Sequence, residues 1–393
     1  MIRRLIVVCN ALDDETRLER GISTDSPAAS RKVFMMCNAI REAKVRPIVL
    51  SLGRGRQNGS GEYFPSVVRR VNRVTVIYLP FIHLPLLSQL LSFIGPVWFM
   101  LHFRRLQGAK TVLFYNRMPA YILALVTAAF LGFRTVLDLE DGEVKNKNAP
   151  LSNIVSSLMR RLFDGLCSGG ALLACSALKS MTALRPVACY YGSINPAEAQ
   201  IVNWSLPEIG ILLGGTVSQD TGALLLVDAV KLLRLDRPSW CQKFTIEITG
   251  KGDAIEAFAV LAKEPGYPIV RLHGRTTDVQ YRSIVSRCHV GLALKPNAGA
   301  LANSTFPSKV IELAGAGLLV LTTNISDVQK VLFTGALYLK QGNPLALVEH
   351  LRWIVTNRDD AAVLARRGML TVHEQCSPKA VASFLTKFFF ESK

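Results

Sequence analysis

The sequence is short of acidic side chains, of paired cysteines and of any unbroken apolar run of membrane length. Lys and Arg number 46 against 29 Asp and Glu, a formal net charge of +17. The excess is uneven: residues 1–190 carry 25 basic and 12 acidic side chains, a net +13, and residues 191–393 carry the remaining +4. A basic half of this kind implies an anionic partner. No basic stripe interleaved with aromatics and no DNA- or RNA-binding signature occurs, so an anionic membrane surface is expected rather than nucleic acid. The eight cysteines (Cys9, Cys37, Cys167, Cys175, Cys189, Cys241, Cys288 and Cys376) form no C-x-x-C pair, which suits a reducing cytosol and argues against structural zinc. The apolar opening run meets Asn10 and Asp13-Asp14-Glu15 too soon for a signal peptide and reads as a first buried strand. Phe81–Phe103 is nearly uncharged and ends in Arg104-Arg105, but Pro85, Gly95 and Pro96 break it. A helix pair lying on a membrane, or simply buried, is expected there in preference to a spanning helix.

What is present is an alternation of apolar strands and helical stretches over 393 residues, half of them hydrophobic. That length and pattern predict two α/β domains with parallel, doubly wound sheets. In the first half the strands are expected at Leu5–Cys9, Pro47–Leu52, Val74–Tyr78, Thr111–Tyr115 and Thr135–Leu139. The expected organisation is an N-terminal domain over 1–190, a linker over 191–207, a second domain over 208–375 and a terminal amphipathic helix over 376–393.

Polar residues gather where strands end, and carboxyl ends of parallel strands are where such folds bind ligands. In the first half these are Asn116 and Arg117, and the acidic run Asp138-Leu-Glu140-Asp141-Gly-Glu143. Ala28, Ala29 and Ser30 open a helix after Ser26-Pro27, which reads as a capped helix start with small residues in its first turn. The second half opens with a strand, Gly214-Gly215-Thr216 and a helix, the general recipe for meeting a phosphate with backbone N–H groups. Strand ends then supply Gly250-Lys251-Gly252, Gly274-Arg275 and Lys295, and Lys309 follows. Four cations at successive strand ends or loops suit an anionic ligand.

The stretch Ser304-Thr-Phe-Pro-Ser-Lys-Val-Ile-Glu312 reads as a loop and a short helix, followed by a glycine break at Gly315 and Gly317 and a buried strand at Leu318–Leu321. Glu312 is the one carboxylate in an apolar helix, expected among free N–H groups at the rim of the sheet. This run resembles the donor-site signature of the retaining glycosyltransferases of family 4, which have two Rossmann-like domains facing a cleft (GT-B type) and a last helix crossing back to the first domain. Their pattern is an acidic residue, seven residues, then a second Glu. Glu312 matches the second Glu, which the resemblance implies holds the donor ribose. Phe306 matches the usual Phe. Ser304 replaces the first acid, and Pro307, which has no N–H, replaces the usual Gly. Thr216 and Thr221 stand where the family has Arg and Lys.

The resemblance implies a retaining transferase that moves a sugar from a nucleotide-diphosphate donor to a saccharide. The basic, apolar first half adds the expectation of an acceptor carried on a lipid, in cell-surface polysaccharide assembly, with the protein in the cytoplasm or peripherally at the inner membrane face. The resemblance implies no cofactor and no metal: the acidic run invites a divalent cation but is not the D-x-D of metal-dependent transferases. The expected donor-side residues are Gly215, Thr216, Gly250, Lys251, Gly274, Arg275, Lys295, Ser304, Phe306, Ser308, Lys309 and Glu312. Ala29, Ser30, Asn116, Arg117, Glu140 and Asp141 are expected on the acceptor side, with Glu140, Asp141 and Lys251 in catalysis. A nucleotide-sugar epimerase of the same fold and a non-catalytic saccharide-binding relative are the alternatives.

Overall fold

The computed structural model describes residues 2–142, 150–296, 303–340 and 342–391. Glu143 of the acidic run lies outside them. The chain forms two compact units, Met1–Ser193 with Pro378–Lys393, and Ile194–Ser377.

Among its described residues the first unit has ten strands: β1 (Arg3–Cys9), β2 (Arg46–Ser51), β3 (Tyr63–Phe64), β4 (Val67–Val71), β5 (Val74–Tyr78), β6 (Phe81–Ile82), β7 (Ala109–Tyr115), β8 (Arg134–Leu139), β9 (Ala171–Leu173) and β10 (Val187–Cys189). Eight of them make one sheet in the order β10-β9-β8-β7-β1-β2-β5-β4, and β3 pairs with β6 in a two-stranded sheet. Leu5, Ile6, Val7 and Val8 are fully buried, because a central parallel strand is covered on both faces and therefore runs apolar without alternation. The five expected strands are β1, β2, β5, β7 and β8, and the antiparallel edge strand β4 was not foreseen. Its hairpin turns on Asn72 and Arg73, both at positive φ, the left-handed pair that a two-residue hairpin loop needs.

The helices of this unit are α1 (Asp14–Glu19), α2 (Pro27–Ile40), α3 (Pro85–Phe103), α4 (Ile122–Phe130) and α5 (Pro150–Leu166). Phe81–Phe103 is one helix after a two-residue strand, not a helix pair. Pro85 occupies its first turn, where a missing N–H costs nothing. Nor is α3 a core helix, since only 28% of its most apolar window is buried.

The second unit has β11 (Ile209–Thr216), β12 (Phe244–Lys251), β13 (Ile269–Gly274), β14 (Val290–Ala293), β15 (Leu319–Thr323) and β16 (Ala336–Leu339). All pairs are parallel, in the order β13-β12-β11-β14-β15-β16. Counted from the first strand this is 3-2-1-4-5-6, the doubly wound order whose switch point lies between strands 1 and 4. Its helices are α6 (Ala223–Asp236), α7 (Ile255–Lys263), α8 (Asp278–Val285), α9 (Lys309–Gly315), α10 (Val328–Leu332), α11 (Pro344–Thr356) and α12 (Arg358–Cys376). Ile211, Ile246, Val290, Leu319 and Leu351 are among the fully buried residues of its core. Most of the stretch expected as a linker belongs to this unit: the Gln200 N–H donates to Ala316 O and its Nε2 to Val285 O. The last helix, α13 (Pro378–Thr386), returns to the first unit and packs on α2. Its buried Val381 and Leu385, with Phe389 just beyond its end, join the β1–β2 core, the return that the resemblance implied.

Candidate active site

In the second unit the residues expected to bind a donor collect at the carboxyl ends of β11, β12 and β13. Gly215 is in register with Gly250, Thr216 with Lys251, and Thr249 with Gly274. Arg275 is exposed one residue beyond β13. A Cβ on Gly250 would fall 1.7 Å from Gly215 O, and its φ is +123°, so only glycine lets these strand ends lie together. Gly215 is open for a different reason. A Cβ there would sit 3.1 Å from Lys309 Cε, so the bare backbone is what allows the lysine stem to cross the end of β11.

Lys309 is the centre of this group. Its Nζ donates to both Glu312 carboxylate oxygens at 3.1 and 3.2 Å and to Tyr281 Oη at 3.3 Å, and it lies 5.0 Å from the centre of the Tyr281 ring. Burial, with Glu312 adding to it, pushes the Tyr281 phenol up to about 12, so the ring stays neutral. Tyr281 was not foreseen, although its spacing to Ile284 and Val285 marks the inner face of α8.

Beyond β14, Lys295 Nζ donates to Thr305 Oγ1, and Thr323 Oγ1 donates to Lys295 O at 2.5 Å. Ser304 is buried and its Oγ has no hydrogen-bond partner among the described residues. Phe306 is half-buried and Ser308, which precedes α9, is exposed.

One expectation changes here. Glu312 is not among free backbone amides: Val310 N–H donates to Pro307 O, and the N–H groups of Ile311 and Glu312 to Ser308 O. The tight turn leading into a seven-residue helix consumes them, so Lys309 rather than amides brings positive charge to this place. Thr221, at a family cation position, closes its own turn, donating to Thr216 O at 2.8 Å and accepting from Ser218 N–H.

In the first unit the acidic run ends β8. Asp138 is 1% exposed, and among the described residues neither carboxylate oxygen has a hydrogen-bond partner. Lys32 Nζ stands 4.0 Å from Asp138 Oδ1, is ion-paired with Glu140 and lies 5.0 Å from the Tyr190 ring centre. Burial raises the Asp138 carboxyl well above its ordinary range, Lys32 opposing. Burial alone would lower Lys32, but Glu140 and Asp138 outweigh it and hold the amine above its ordinary value. Asn116, at φ +62°, fastens the two strand ends: its N–H donates to Asp138 O at 2.7 Å and its Oδ1 accepts the Glu140 N–H at 2.8 Å. Asp141 is exposed next to it. Lys32 escaped notice in the sequence because it follows Arg31 in what reads as a solvated helix start.

Two expected acceptor-side residues are engaged within their own unit. Arg117 has a side chain only 4% exposed, paired with Asp164 at 3.0 Å and donating to Met181 O at 2.9 Å, so it ties α5 to the loop before β10. Ser30 is buried, and its Oγ accepts the Leu12 N–H at 2.9 Å. Ser26 caps α2 through the Ala29 N–H at 3.4 Å, the capped start expected of this helix.

Residues 227–387 match a family model described as glycosyl transferase-like. Among solved structures, sucrose-phosphate synthase from Thermosynechococcus elongatus superposes with a TM-score of 0.70 at 13% identity, covering 98% of both chains. HepE from Anabaena, solved with UDP and glucose, gives 0.69 at 11% over the whole of both chains. The fold is that of the two-domain glycosyltransferases. A third chain with this glycosyltransferase fold is the UDP-forming trehalose-phosphate synthase from Burkholderia xenovorans, in complex with glucose-6-phosphate (TM-score 0.67, 13% identity, 98% of this chain and 99% of that one). Among curated proteins none matches the sequence.

Proposed function

We propose that this protein transfers a glycosyl group, with retention of anomeric configuration, from a nucleotide-diphosphate sugar to a saccharide acceptor carried on a lipid. The setting is the cytoplasmic face of a membrane during cell-surface polysaccharide assembly. The observation that carries this reading is Lys309, laid over the bare backbone of Gly215 and holding Glu312, where β11 meets the switch point of the sheet. In this reading the diphosphate lies against Gly215 and Gly250, and Glu312 accepts hydrogen bonds from the ribose hydroxyls. Lys309, Lys251 and Arg275 oppose the charge that grows on the departing phosphate, and Lys295 supports the loop around Ser304 and Phe306. Glu140 and Asp141 serve the acceptor hydroxyls in the first unit, with Lys32 ion-paired to Glu140.

Ligand-observed NMR against a panel of nucleotide sugars tests the donor half directly. Saturation transfer to the ribose and sugar protons of one donor is expected. No transfer from any donor removes the reading. Release of nucleoside diphosphate only when acceptor is added identifies a transferase, whereas conversion of the donor sugar without release identifies the epimerase alternative.

A further inference from the structure

Helix α3 is inside out. Its buried residues are Ser88, Ser92, Pro96, Met100 and Phe103, while Leu86, Leu90, Ile94, Trp98 and Leu101 form an outward stripe at 3–4-residue spacing, each 51–81% exposed. The first two turns of the inward side are polar for a reason. Ser92 Oγ accepts from Arg54 Nη1 at 2.9 Å and donates to Ser88 O at 2.7 Å, and Ser88 Oγ accepts from Gln57 Nε2 at 3.2 Å. A helix folding only against its own domain places these two faces the other way round. The burial term near 25 cal/mol per Å² favours leucines inside and serines outside.

The apolar surface continues beyond α3. Helix α4 packs against α3 and α5 against α4, and they leave Leu123 (45%), Phe130 (86%), Ile154 (64%) and Leu158 (51%) exposed. So many exposed apolar side chains on three helices packed in succession mark a binding site for something apolar. Charge selects what that is. Neither α3 nor α4 contains an acidic residue, and α3 runs into exposed Arg104 and Arg105. In α5, Arg160 and exposed Arg161 follow the apolar turn, while its single acid, Asp164, is already paired with Arg117.

We propose that the α3–α4 face, extended by α5, seats the protein on an anionic lipid bilayer, with α3 lying in the headgroup region and Arg104, Arg105 and Arg161 at the phosphates. Topology fixes the mode of binding. Helix α3 is the crossover between β5 with its β6 extension and β7, and β5, β2, β1 and β7 are parallel members of one sheet. A spanning α3 would leave β5 and β7 on opposite sides of the bilayer and dismantle that sheet. The helix therefore lies on the membrane, as an interfacial amphipathic helix does. The seat rests on the transferase reading only in giving a lipid-linked acceptor a reason to meet the enzyme. The binding itself is independent of that reading.

Vesicle sedimentation of the full chain, with phosphatidylglycerol mixed into phosphatidylcholine, tests the seat. Binding is expected to require the anionic lipid, weaken at least tenfold between 0.05 and about 0.5 M salt, and blue-shift Trp98 emission. Leu90→Gln with Ile94→Gln changes only outward side chains, so the fold and donor binding stay intact while vesicle affinity falls tenfold or more. Arg104→Gln with Arg105→Gln is expected to weaken the lipid-charge dependence, leaving the part that Arg161 supplies. Absence of sedimentation, or equal binding by the wild type and the Leu90/Ile94 variant, overturns the proposal. So does a soluble dimer that the Leu90/Ile94 variant dissociates, since a second copy of the chain then covers the face. Loss of donor binding with vesicle affinity intact counts against the transferase reading alone.

Discussion

Lys309 donates to both carboxylate oxygens of Glu312 at 3.1 and 3.2 Å from three residues earlier, on a helix only seven residues long. The pair is partly open, with side chains 31% and 20% exposed, so its own contribution to stability is small. Its value lies in position. The amine fixes the carboxylate beside Gly215 and Tyr281, and a diol that binds there finds its acceptor already oriented.

Glu312→Ala is therefore expected to weaken nucleotide-sugar binding by the 1.5–3 kcal/mol typical of hydrogen bonds to a charged group, roughly 10- to 150-fold in Kd. Calorimetric titration measures it. Lys309→Met should cost a similar amount, and the double variant less than the two together, because each residue acts through the other. Additive losses would separate their roles.

Glu140→Gln is expected to lower turnover more than donor affinity, because Glu140 lies in the other unit from the donor residues. Lys32→Met should do the same, by leaving Glu140 without its ion pair and Asp138 without a nearby cation. Lys32→Arg is expected to recover part of the loss. Steady-state kinetics with separate donor titrations make the comparison, and an equal fall in both quantities would transfer Glu140 to donor binding.

Gly250→Ala should destabilise the chain by about 3 kcal/mol or more. Its Cβ would meet a carbonyl oxygen at 1.7 Å, and that oxygen belongs to the backbone and has nowhere to move. Gly215→Ala meets a flexible lysine stem instead, though its φ of +101° adds strain. It should cost less stability and more donor affinity. Thermal melts and titrations of both variants separate these effects.

Glu247, 1% exposed in β12, accepts from Arg271 at 2.9 Å, from Arg287 at 3.0 Å and bonds His273 at 2.5 Å. Burial works against its charge, but these three partners outweigh it and lower the carboxyl to about 2. A depressed carboxylate stabilises the fold fully above its unfolded value near 4.5, and that contribution is lost as pH falls toward 2. The half-exposed arginines are screened, so the contribution is on the order of 2 kcal/mol. Denaturant titrations at pH 7 and pH 3 should show wild type losing more stability than Glu247→Gln over this interval. Parallel losses would mean that other carboxylates dominate the acid limb.

The sequence by itself determined the parallel central strands of both large sheets, because buried central strands must be continuous apolar runs and the connecting helices must show a 3.6-residue period. It also marked the glycine turns at Gly215 and Gly250 and the short helix bearing Lys309 and Glu312, since these are local in the chain. Only the tertiary structure decided which polar groups are engaged. Lys32 meets Glu140 across 108 residues, Arg117 is paired with Asp164 across 47, and Ser30 accepts from Leu12 across 18. Nothing in local composition distinguishes such a side chain from one held out to a ligand. The orientation of α3 was undetermined for the same reason. Its hydropathy says that it is apolar, but which stripe faces water depends on where Arg54 and Gln57 reach back to grip its serines.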